Sequence, residues 1–226
     1  NPLFEAWLAA GEQAGFRRTD DVNGFRQEGF AAFDKNVRRG RRLSAARAYL
    51  HPVMDRPNLA VLTGAQANRI VFEGNRAVGV EYRRRRRAHV VRADEIISCG
   101  GAVNSPQLLQ LSGIGDPAHH ETLGVDMVHA LPGVGENMQD HLEVYVQYAC
   151  KQPVSMQKHL AHWRKPWIGL QGLFRRGPAA TNHFEAGAFV KSNPDEPYPN
   201  LMFHFLPIAI RYDGSAPPGP MTTGDG

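Results

Sequence analysis

The residues whose types and order best suit chemistry are Gly100-Gly101-Ala102-Val103-Asn104-Ser105-Pro106. An apolar run at residues 95–99 leads into them, and a helical pattern follows. Small residues let a planar or anionic ligand approach the backbone. A helix start adds unpaired N–H donors and the positive end of the dipole. These features predict a ligand-facing strand-to-helix turn without naming the ligand; an ordinary tight turn is the plain alternative. Downstream, residues 131–140 form a Gly- and Asn-rich loop. His119-His120 is read as solvent-facing rather than metal-binding. Cys99 and Cys150 match no metal-ligand spacing and are read as reduced thiols in a cytoplasmic setting.

Several elements must position these residues. Asn1 caps and Pro2 opens an amphipathic helix over residues 2–14. Residues 15–33 read as irregular. Ser44 caps a short helix over 45–50 that His51-Pro52 ends. Residues 59–63 have the look of a buried strand. Residues 70–72, 77–82 and 89–92 flank two turn sequences and predict a small antiparallel meander, with the arginine run 83–87 at a hairpin tip. Residues 95–99 predict a return strand. Asn104-Ser105-Pro106 predicts a cap with proline at the first helical position, and Gly113 a left-handed stop after residue 111. Residues 143–150 alternate as a strand, with Val144, Val146 and Tyr148 on one side. Residues 156–174 read as interrupted helix, and 184–190 and 201–210 as strands. The Pro/Gly-rich tail from residue 215 predicts disorder.

The chain has 226 residues, 42% hydrophobic, with a formal net charge of +4. That suffices for one large domain or parts of two. No apolar run approaches the ~18 residues of a membrane helix, so no transmembrane segment is expected. Arginines cluster at residues 38–42 and 83–87. A nucleic-acid or anionic-membrane patch is one reading of them. No nucleic-acid module accompanies them, so solvated turns are the preferred reading and no nucleic-acid partner is expected.

The run from Gly101 through Gln107-Leu108-Leu109-Gln110-Leu111-Ser112-Gly113-Ile114-Gly115 resembles the second signature of the glucose–methanol–choline oxidoreductases. Leu131-Pro132-Gly133-Val134-Gly135-Glu136-Asn137-Met138-Gln139-Asp140-His141 resembles the family's loop at the flavin–substrate junction. Gly40-Arg41-Arg42-Leu43-Ser44 and Asn58-Leu59-Ala60-Val61-Leu62-Thr63 also fit, so the resemblance spans essentially residues 1–215. Asp140-His141-Leu142-Glu143, Cys150-Lys151-Gln152-Pro153-Val154-Ser155, Asn182-His183-Phe184-Glu185-Ala186-Gly187 and His204-Phe205-Leu206-Pro207 look most like its choline-oxidising members.

The resemblance implies an α/β fold. An incomplete FAD-binding, Rossmann-like domain with a β-meander would occupy residues 1–141, and a partial antiparallel α+β substrate domain 142–215, to which parts of the first fifty residues could also belong. Residues 216–226 would be a disordered tail. It implies oxidation of a primary alcohol, choline to betaine aldehyde, by hydride transfer to FAD, with another alcohol or an inactive fragment as the alternatives. Ala67 would contact the adenine through its backbone, Gly100 and Gly101 would lie close to the cofactor, and Asn137, Asp140 and His141 would line the junction. A quaternary ammonium offers no N–H to hydrogen-bond, so it needs a carboxylate or an aromatic face. Glu185, beside Phe184, is expected at that group, and His204 in the substrate cavity. The family's GxGxxG fingerprint and its catalytic histidine are absent from these residues. The chain alone is therefore expected to bind FAD poorly and not to turn over. Peripheral contact with the inner membrane is an open alternative to a purely cytoplasmic setting.

Overall fold

The computed structural model describes residues 1–209. In chain order it contains α1 (Pro2–Gln13), β1 (Gly29–Ala32), β2 (Val37–Arg38), β3 (Arg41–Arg42), β4 (Ala65–Glu73), β5 (Arg76–Arg84) and β6 (Arg87–Arg92). Then follow α2 (Gly101–Leu111), β7 (Ile114–Gly115), α3 (Pro117–Leu123), β8 (His129–Ala130), α4 (Lys165–Leu173), β9 (Ala186–Val190) and β10 (Leu201–Phe205). The chain divides into two compact units, Asn1–Val53 with the chain from Tyr145 onward, and Met54–Val144. One break thus falls close to residue 141, while the first fifty-three residues group with the C-terminal segment instead of the signature helix.

The first unit is built on an antiparallel sheet in the order β1-β9-β10. β9 is its central strand and almost wholly buried, as its Ala-Gly-Ala-Phe-Val sequence allows. The register pairs Phe30 with Ala188 and Phe205 with Ala186, so these side chains share one face. Helix α1 covers that face. Trp7 lies 4.5 Å from the Phe30 ring and 5.4 Å from Phe205, and Gly11 lets Phe30 press against the helix backbone. Asn1 caps α1 as expected, its Oδ1 accepting from the Leu3 N–H at 3.0 Å. Strand β1 corrects the irregular reading of residues 15–33; its ladder comes from a strand more than 150 residues away, which no local pattern reveals. The helix after Ser44 runs as a π-helical turn, Ala46–Leu50, and continues past His51-Pro52 as a 3-10 turn. Residues 156–174 are interrupted helix, ending in α4.

The second unit contains the antiparallel meander β4-β5-β6. Arg85 and Arg86 form the β5–β6 turn, both with positive φ (51° and 65°). That matches the two-residue turn whose twist suits a hairpin, and it puts the arginine run at a tip as predicted. Three expected strands need correcting. Residues 59–63 and 95–99 carry no strand ladder, and Ile97 is 77% exposed. An apolar run becomes a strand only beside a partner edge, and none is paired with them among the described residues. Residues 143–149 likewise alternate without becoming a strand, and Tyr148 is 85% exposed. The tail from residue 215, read as disordered, lies outside the described residues.

Candidate functional site

In the first unit, the sheet face opposite α1 carries a carboxylate among aromatic rings. Glu185 and Phe33 lie opposite each other just beyond the β1–β9 ladder, where the Phe33 N–H donates to the Glu185 carbonyl at 3.0 Å. Alternation then places Glu185, Gly187 and Phe189 on one face, with His204 opposite Gly187. Gly187 has a steric reason to be glycine: a side chain there would run into the Phe33 ring and the Phe203 carbonyl. The Phe33 ring stacks on Phe189 at 5.9 Å. His204 stands edge-on to Phe33 at 5.7 Å and to Phe184 at 5.5 Å, on the exposed side of the sheet.

Two donors fix the Glu185 carboxylate. Lys35 Nζ donates to Oε1 at 2.9 Å, and Thr181 Oγ1 donates to the same oxygen at 2.7 Å. The side chains of Lys35 and Glu185 are 34% and 28% exposed. Burial pushes the Glu185 carboxyl up. The hydrogen bonds from Lys35 and Thr181, with the charge of Lys35, outweigh that and hold it below its ordinary value.

In the second unit, α2 starts earlier than predicted. Gly100 is its N-cap and makes no side-chain capping bond, and Pro106 lies inside the helix. The Asn104-Ser105-Pro106 cap is therefore a correction. Gly101, at φ +82°, makes the sharp entry that only glycine adopts freely. Ser105 is engaged instead with Ser98, hydroxyl to hydroxyl at 3.1 Å. Pro106 forfeits one ladder bond. The helix thus opens on uncapped N–H groups, with open space where a Gly101 side chain would stand. Its far end is fastened: buried Ser112 accepts from the Ile70 N–H at 2.8 Å and donates to the Leu108 carbonyl at 2.5 Å. Gly113 takes the left-handed stop as expected, at φ +83°.

The loop after β8 is tied to α2 by Gln110, whose Nε2 donates to the Val134 carbonyl at 3.1 Å. Asn137 has φ +55°, and Asp140 Oδ1 accepts from the His141 N–H at 2.8 Å. All three site candidates of this loop are exposed. Ala67 lies on the edge strand β4 opposite Tyr82, next to a register shift between Ala67 and Arg69. Its carbonyl accepts from Gln66 Nε2 at 3.3 Å. The candidates thus fall into two groups, Glu185 with His204 in one unit and Ala67, Gly100, Gly101, Asn137, Asp140 and His141 in the other.

His120 is a further correction. It is buried, at 2% exposure, with its ring nitrogens 2.8 Å from the Asp116 and Gln110 carbonyls. It is a satisfied core histidine, whereas His119 is exposed as expected. No cluster among the described residues could hold a metal ion. Sequence reasoning missed Phe33, Lys35 and Thr181. The one available signal was the alternation Phe33-Asp34-Lys35 running on from β1.

The model of the GMC oxidoreductase family matches residues 1–143, and the chain belongs to that family. It is 61% identical over 219 residues to an oxygen-dependent choline dehydrogenase of Staphylococcus saprophyticus, covering 96% of this chain and 39% of that protein. Among solved structures it is similar to pyridoxine 4-oxidase from Mesorbium loti, at 31% identity and a TM-score of 0.67, covering 84% of this chain and 34% of that one. It is also similar to an FAD-dependent oxidoreductase from Chaetomium thermophilum, at 25% identity and a TM-score of 0.64, with the same coverage. The chain spans about two fifths of the length of the curated relatives it matches. Membership of the family implies a flavin. The uncapped start of α2 and the space beside Gly101 fit one edge of such a cofactor, while the GxGxxG phosphate fingerprint is not among these residues.

Proposed function

We propose that the protein carrying this chain oxidises choline to betaine aldehyde with FAD. The observation that supports this reading best is the Glu185 carboxylate, fixed by Thr181, on the sheet face that also carries Phe33 and His204, with Phe184 edge-on to His204. A trimethylammonium group gains from a fixed carboxylate and from aromatic faces, and needs no donor bond. Thr181 fixes the carboxylate oxygen in place. His204 lines the seat edge-on to both rings. On the flavin side, the backbone of Ala67 would meet the adenine. Gly100 and Gly101 would admit the cofactor against the helix start, and Asn137, Asp140 and His141 would line its junction with the substrate. A bound FAD would supply the two-electron acceptor for the hydride of the alcohol carbon, and loss of the hydroxyl proton would complete the balance to the aldehyde. No residue of this chain is assigned as the catalytic base. The free thiols Cys99 and Cys150 fit a reducing, cytoplasmic setting, and no helix among the described residues is long and apolar enough to cross a membrane.

A second reading is favoured by the Lys35 contact itself: Glu185 could serve only as the counter-ion of Lys35, with a neutral alcohol as substrate. Glu185→Ala separates the two. In the FAD-loaded protein, kcat/KM for choline should fall about a hundredfold, roughly 2–3 kcal/mol of lost contact to a charged group. For a neutral alcohol of the same shape it should change no more than about threefold. An equal loss on both substrates would favour the second reading.

A further inference from the structure

We propose that Lys35 is an internal competitor for the cation seat: its ammonium and the substrate's quaternary ammonium take turns on Glu185. The inference rests on the reading of Glu185 as the substrate's anchor. One carboxylate carries one charge, and two cations held against it would repel each other at close range. One of them has to leave. Lys35 is built to be the one that moves. Its ammonium ends a flexible four-carbon stem, it is about one-third exposed, and it contacts Glu185 through a single bond to Oε1 at 2.9 Å. A pair so open to water is only weakly held. The seat does not depend on it, because Thr181 holds Oε1 independently at 2.7 Å and the Phe33 N–H secures the backbone carbonyl of Glu185. Phe33 comes two residues before Lys35, so the strand that supplies an aromatic wall also delivers the competing cation. A neutral alcohol has no charge with which to displace Lys35. Lys35 therefore acts as a specificity-determining residue, lowering the affinity for every ligand but discriminating against uncharged ones.

The test measures choline binding by calorimetry to the FAD-loaded protein, for wild type, Lys35→Met, Lys35→Arg and Glu185→Gln, with the melting curve of each variant as a check on folding. Lys35→Met should bind choline about tenfold more tightly, and Lys35→Arg should stay close to wild type. In the wild type, choline should raise the rate at which Lys35 is acetylated by a small acylating reagent, because the displaced amine moves into water. A merely structural lysine would be protected or unaffected. Unchanged or weaker binding by Lys35→Met, or protection of Lys35 by choline, would overturn the proposal. Glu185→Gln tests the reading beneath it. Loss of choline binding there, with no gain in Lys35→Met, sinks only the role of Lys35. Choline binding undiminished in Glu185→Gln, or absent from both wild type and Lys35→Met, sinks both.

Discussion

Glu185 is subject to opposing influences, and their balance sets how it responds to acid. Burial raises its carboxyl, while Lys35 and Thr181 lower it further, leaving it depressed in the folded state. A depressed carboxyl contributes stability that is complete above its unfolded value and is lost as pH falls through its folded value. Glu185→Gln should therefore flatten the acid limb of the stability curve below about pH 4.5 and leave the slope near neutrality unchanged. Urea melts between pH 3 and pH 7 would read this out, with an effect of about 0.5–1 kcal/mol because the pair is partly exposed. Gly187→Ala acts sterically. Its methyl group would meet the Phe33 ring and should cost about 1–3 kcal/mol in a denaturant melt. At this scale the sequence was half legible. Glu185 and His204 stood out by residue type within a motif. Their neighbours did not, because Lys35 and Glu185 are 150 residues apart and the register that joins them is a tertiary fact.

Elements were legible where their signals are local. The Asn1-Pro2 start of α1, the glycine stop after α2 and the meander with its arginine tip all follow from caps and turns. The start of α2 was misplaced because two signals competed. Asn104-Ser105-Pro106 looks like a cap, but Gly101 reaches a positive φ and lets the helix begin before it. Residues 59–63 and 95–99 show the other failure, since composition can mark a strand but cannot supply its partner. The β5–β6 turn offers a clean test of local reasoning. Arg85 and Arg86 both occupy a region that asparagine and glycine adopt more readily. Replacing them with Asn-Gly should stabilise the hairpin by about 0.5–1 kcal/mol and raise the melting temperature. A fall would show that the arginines hold the turn through contacts of their own.

For the molecule as a whole, family membership rests on the match over residues 1–143, and the fold agrees with solved relatives. The chain divides after Val53 and after Val144, the second break lying close to the end of the Leu131–His141 motif. The sequence raised the grouping of the first residues with the later segment only as an alternative for parts of the first fifty, because that grouping depends on β1 pairing with β9. The net charge of +4 comes with arginines concentrated at turns. Read as solvated tips, these arginines should give no retention of duplex DNA at physiological salt in a mobility-shift assay. Tight binding that falls steeply with added salt would revive the nucleic-acid reading.

Choline oxidation can be followed in the flavin absorbance of the FAD-loaded protein, recorded without oxygen as choline is added. Rapid bleaching of the oxidised band by choline, with little or none from a neutral alcohol of the same shape, is the predicted result. A flavin that choline leaves oxidised would keep the family and the fold and contradict the substrate assigned to Glu185.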